Sequence, residues 1–325
     1  MNATASRIAL GGIAAVAAVS VAACSTSSSD SKGSEGGDGT PAAGGASASA
    51  ASSRTIQVVA AENFWGSIAS QLGGDHVKVT SIIDNPNADP HDYEPTAADA
   101  RTVAGAQFAI VNGVGYDSWA GKLLAANPGT SRTDLEVGKL VGVPADGNPH
   151  RWYSPDNVHQ VIEQITTDYK KLDPADSADF DKLKNTFENT TLAPYNKEIA
   201  DIKAKYKGTP VGASESIFTP LAEGLGLNLV TPESFLDAIS EGSDPTAKDK
   251  STIDRQIADK KIKVYVYNSQ NATPDVQAQV KAAKAKGIPV ATVTETLTPA
   301  GASFQDWQVR QLKGIAAALA KATGK

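Results

Sequence analysis

The sequence predicts an α/β protein: two lobes with parallel sheets flanked by helices, joined by one long spanning helix. Three observations support this. At 325 residues the chain exceeds the size at which one hydrophobic core usually stops growing. From residue 55 onward, short apolar runs alternate with amphipathic stretches, the pattern of βαβ units. One segment, 175–207, breaks that alternation: it is polar, with Phe180, Leu183, Phe187, Leu192, Tyr195, Ile199 and Ile202 at near-helical spacing, and it ends at Gly208. A helix of about thirty residues would reach about 45 Å, the height of a domain. Pro194 lies inside it and predicts a kink or break near Leu192.

The expected strands are 56–61, 77–83, 108–112, 210–213, 227–230, 263–267 and 290–294. The expected helices are 64–72, 95–104, 116–126, 155–171, 249–261, 274–286 and 303–320. Gly287-Ile288-Pro289 stops one helix and starts the next strand. The resulting division is an N-terminal lobe at 54–174, a linking helix at 175–207 and a C-terminal lobe at 208–325. A monomer is expected.

Residues 1–23 read as a secretory signal peptide, with Arg7 as the basic start and a small-residue apolar run too short for a comfortable membrane span. The run ends Val21-Ala22-Ala23-Cys24, which resembles the lipobox of bacterial lipoproteins, whose cysteine is acylated. Cys24 is the single cysteine of the chain. Residues 24–53 then follow as the lipidated Cys and a flexible Ser/Gly/Ala tether, with too little apolar surface to offset chain entropy. The expected location is the outer face of the cytoplasmic membrane, held by lipid.

The formal net charge is −6 and no Lys/Arg run stands out, so nucleic-acid binding lacks electrostatic support. One Cys and one Met leave His, Asp and Glu as the available ligands for any metal site. Of the four histidines, His76 follows an exposed Gly-Gly-Asp turn and His159 lies on a polar helix face, both ordinary surface positions. His91 and His150 differ. Each follows a proline in a loop, in Asp89-Pro90-His91-Asp92-Tyr93-Glu94-Pro95 and Asn148-Pro149-His150-Arg151-Trp152. Proline restricts the loop and so reduces the entropy lost when an ion is captured.

Those two strings, together with Asn63-Phe64-Trp65, Gly73-Gly74-Asp75, Asn112-Gly113, Ser214-Glu215 ahead of Phe218, and the closing helix 307–319, resemble the zinc- and manganese-binding solute-binding proteins of bacterial ABC importers. The resemblance covers the chain from about residue 55 to its end. It implies an ion held between two lobes, for delivery to an ABC permease and its ATPase. It also implies the ligands His91, His150, Glu215 and Glu295. At Glu295 the family normally carries an Asp, so the carboxylate here reaches one methylene further. Two imidazoles and two carboxylates suit one divalent transition metal, Zn2+ or Mn2+ with Fe2+ as a third choice, better than Ca2+ or Mg2+. Within the resembling family a third His and a His-rich loop accompany zinc uptake. Glu215 and the lack of such a loop favour manganese or iron, and Glu295 weakens that preference.

Three other function readings compete. A zinc hydrolase needs an open coordination position and a base; Asp92 or Glu94 would serve as the base, but there is no His-Glu-x-x-His helix and four protein ligands would close the site. Catalysis is therefore not expected. A surface adhesin finds no repeat or large aromatic patch to support it, and an organic-solute binder would leave the two Pro-His loops unexplained.

Overall fold

The computed structural model describes residues 55–86, 90, 93–129 and 131–325. The signal peptide, Cys24, the tether and His91 lie outside the described residues. The elements of the first half are β1 (Ile56–Glu62), α1 (Asn63–Gly73), β2 (Val77–Ile83), α2 (Ala97–Gly105), β3 (Phe108–Val111), α3 (Ser118–Ala126), β4 (Thr133–Glu136), α4 (Val137–Leu140) and α5 (Pro155–Leu172). Next come α6 (Ser177–Thr186), a π-helical turn (Phe187–Thr191) and α7 (Ala193–Tyr206). The second half holds β5 (Pro210–Ala213), α8 (Thr219–Gly224), β6 (Asn228–Leu229), α9 (Glu233–Ser240), α10 (Ala247–Ala258), β7 (Val264–Asn268), α11 (Pro274–Ala285), β8 (Val290–Val293) and α12 (Phe304–Thr323).

Two four-stranded sheets form, β2-β1-β3-β4 and β6-β5-β7-β8, and every pairing is parallel. The predicted two-lobed α/β architecture is therefore the observed one. In each sheet the first strand of the lobe is central and pairs with its second and third strands. Such strands are covered on both faces, and β1 is accordingly apolar at nearly every position. The strand order of the two sheets is the same, a correspondence that no sequence repeat announces.

Local chemistry sets the helix starts. Thr96 and Asp99 form a capping box, so α2 begins at Ala97 and Pro95 stays outside it. Ser154 caps α5 with Pro155 in its first turn, and Ser303 caps α12. The expected long helix is present as two pieces. Leu192 N donates to Phe187 O at 2.8 Å, five residues back, and Pro194 enters just beyond as α7 begins. The piece before the turn, α6, packs on α1 and α5, while α7 packs along α12.

One apolar cluster runs through both lobes. Its densest part is aromatic: Phe64 stacks on Trp152 at 4.1 Å between centroids, Trp152 leans on Tyr153, and Tyr153 leans on Trp307 of α12. Among the described residues no helix is long and apolar enough to cross a membrane.

Candidate metal centre

Three of the four predicted site residues are described. His150 follows β4 and α4, Glu215 follows β5, and Glu295 follows β8. Glu215 and Glu295 leave the carboxyl ends of parallel strands, where α/β sheets place their ligands, and His150 lies in the loop between α4 and α5. His150 is fully buried, and Glu215 and Glu295 are nearly so.

The loop of His150 is tied on both sides. Asn148 Oδ1 accepts from His150 N at 3.0 Å and pairs with the ring Nδ1 at 2.9 Å. The other end of that carboxamide, Nδ2, donates to Ser216 O at 2.7 Å, which fixes which atom is the oxygen. Nδ1 therefore donates to Asn148, and Nε2 faces Glu295, whose Oε2 lies 3.9 Å away. Behind the ring, Trp152 and Tyr116 approach edge-on at centroid distances of 5.3 and 5.9 Å. Asn112 braces the same loop: its amide donates to Pro149 O at 2.9 Å and its oxygen accepts from Trp65 Nε1 at 3.1 Å. Gly113 completes this turn at φ 74°, where a Cβ would lie 2.8 Å from the Glu136 side chain.

The Glu295 carboxylate is held by neutral donors. Tyr116 Oη donates to Oε2 and Asn268 Nδ2 to Oε1, both at 2.9 Å. Glu215 Oε2 accepts from Asn271 Nδ2 at 3.0 Å. Asn63 of the first lobe accepts from Leu297 N at 3.3 Å, and Tyr153 Oη donates to Thr294 O at 2.9 Å, so the Glu295 turn is docked against the first lobe. Among the described residues no three His, Cys, Asp or Glu side chains converge as a metal group by themselves. The fourth predicted member, His91, is beyond them.

Several supporting residues escaped the sequence reading: Asn148, Tyr116, Asn268, Gln270 and Asn271. A run of carboxamides just after a strand, at 268–271, was the available signal. A further pair lies under the first-lobe loops. Glu62 is fully buried at the end of β1, and burial with the Asp117 carboxylate beside it holds its carboxyl well above the usual range. Burial raises Asp117 as well, but it accepts from Asn112 N at 2.6 Å and Gly113 N at 2.7 Å, which favours the charge on Asp117 over Glu62. His76 and His159 lie away from the centre, against Asp176 (2.8 Å) and Glu188 (3.8 Å) respectively.

Residues 58–318 match the model of the family described as zinc-uptake complex component A, periplasmic. The chain belongs to this family. Among curated members it is 26% identical over 190 residues to an iron-binding protein of Yersinia pestis, covering 55% of this chain and 59% of that one. It is 25% identical over 264 residues to a manganese-binding lipoprotein of Bacillus subtilis, covering 77% of this chain and 81% of that one. The chain spans about half the length of the first curated relatives it matches. The fold is also that of a manganese-bound periplasmic metal-binding protein from Candidatus Liberibacter asiaticus, with a TM-score of 0.69 at 20% identity over 82% of this chain and 99% of that one.

Proposed function

We propose that this chain captures one divalent transition metal ion, Zn2+, Mn2+ or Fe2+, outside the cytoplasm and delivers it to an ABC permease and its ATPase. The observation that carries the proposal is His150: a buried imidazole whose Nδ1 is engaged by Asn148 and whose Nε2 faces the Glu295 carboxylate. His91 and Glu215 complete a set of two imidazoles and two carboxylates, of borderline hardness and overall neutral against a divalent ion. The iron- and manganese-binding relatives agree with such a cargo. Four protein ligands in a closed site favour holding over turnover, so the role is binding rather than catalysis. Cys24 would carry the lipid that keeps the protein at the membrane.

Metal analysis of the purified chain, followed by titration in metal-buffered solution, tests this. One equivalent of metal, lost in both His91→Ala and His150→Ala, is expected. Failure to retain any of the three ions under every loading condition would discard the reading.

A further inference from the structure

We infer that Gln270 is a positioning residue that ties the hold on Glu295 to closure of the cleft. The inference rests on the metal-capture reading of Glu295 but concerns a residue with no predicted place in the ligand set. The oxygen end of the Gln270 carboxamide serves the second lobe alone, and the nitrogen end reaches both lobes. Its oxygen accepts from the backbone of the Glu295 turn, Glu295 N at 2.6 Å and Thr296 N at 3.1 Å. Its nitrogen donates to Thr296 Oγ1 at 3.0 Å and to the carbonyl of Pro86, 184 residues earlier. Pro86 stands three residues after β2 and five before His91.

The backbone around Gln270 reinforces the assignment. Gln270 N donates to Asn268 Oδ1 at 3.0 Å, and the Asn268 amide reaches Glu295 Oε1. Asn271, the next residue, holds Glu215. One four-residue turn thus addresses both second-lobe carboxylates, and Gln270 within it also reaches the first lobe's strand-to-His91 connection at Pro86. Only a carboxamide supplies an acceptor and two donors from one flat group. With the lobes apart, the bonds to Glu295 and Thr296 persist while the bond to Pro86 is lost. Closure restores it at the moment both lobes meet the ion.

The substitution Gln270→Glu separates the two ends. It keeps an oxygen for the Glu295 and Thr296 amides and sets a second oxygen against the Pro86 carbonyl. In stopped-flow experiments on the full chain, with Zn2+ and a chromophoric chelator, it is expected to speed zinc release about tenfold and leave association nearly unchanged. A residue serving only the second lobe's packing would not split the two rates in this way. Gln270→Met removes both ends and should speed release at least as much; it carries the test if Gln270→Glu does not fold. Wild-type release rates in either folded variant, with zinc still bound one to one, would overturn the role of Gln270 and leave the capture reading standing. If the unsubstituted chain takes up no zinc, manganese or iron, both fall together.

Discussion

At the scale of single residues, the centre is organised by neutral carboxamides and one phenol that aim charged or ligating groups. Asn148 is the clearest case, because its oxygen dictates which imidazole nitrogen of His150 is free of its proton. Asn148→Ala should weaken metal binding by about 10- to 100-fold with the fold retained, read by competition with a calibrated chelator. Glu62 offers a test of a different kind. Its pKa is raised in the folded chain, so the native state keeps a proton that the unfolded state releases above about pH 4.3. The stability this pair contributes is complete below that pH and is lost as pH rises toward the folded-state value. Gln at position 62 keeps the shape of the neutral acid without titrating. The melting temperature of Glu62→Gln relative to wild type should therefore be more favourable at pH 8 than at pH 5, in chelator; an equal difference at both would refute the shared proton. Motif strings single out His150 and Glu215 in the sequence, and Glu295 follows from the resemblance alone. Gln270 was not, since a loop carboxamide is unremarkable until the fold brings Pro86 to it.

At the scale of elements, apolar runs made most strands readable to within a residue or two. β4 was missed for a physical reason. Thr-Asp-Leu-Glu pairs with β3 alone and buries only Leu135, so an edge strand there carries almost no hydrophobic signal. The short α9 was missed because three buried residues, Phe235, Leu236 and Ile239, are too few to establish a helical period. Caps fix two of the helix starts: Ser154 and Ser303 each accept a first-turn amide. Ser154→Ala should cost about 1 kcal/mol. In a domain of this size that lowers the melting temperature by about 2–4 °C, measurable by calorimetry on the metal-free protein.

At the scale of the whole molecule, metal and proton compete for the same imidazoles. Affinity should fall as pH drops through about 6.5, because the ion displaces protons from His91 and His150; a flat affinity between pH 5.5 and 7.5 would contradict histidine ligation. Saturating metal should also stabilise the chain, by about 2.7 kcal/mol at a hundred times Kd, and a chelator should reverse the gain. The lobe count was legible from length and alternation. The continuous aromatic seam through Phe64, Trp152, Tyr153 and Trp307 was not, because it depends on which faces meet. The π-helical turn at Phe187–Thr191 has a mechanical consequence. Since α6 is fastened to one lobe and α7 to α12, the linker is two struts meeting at a five-residue knuckle. Leu192 is buried at that joint, so any bend between the two struts has to carry a core residue with it.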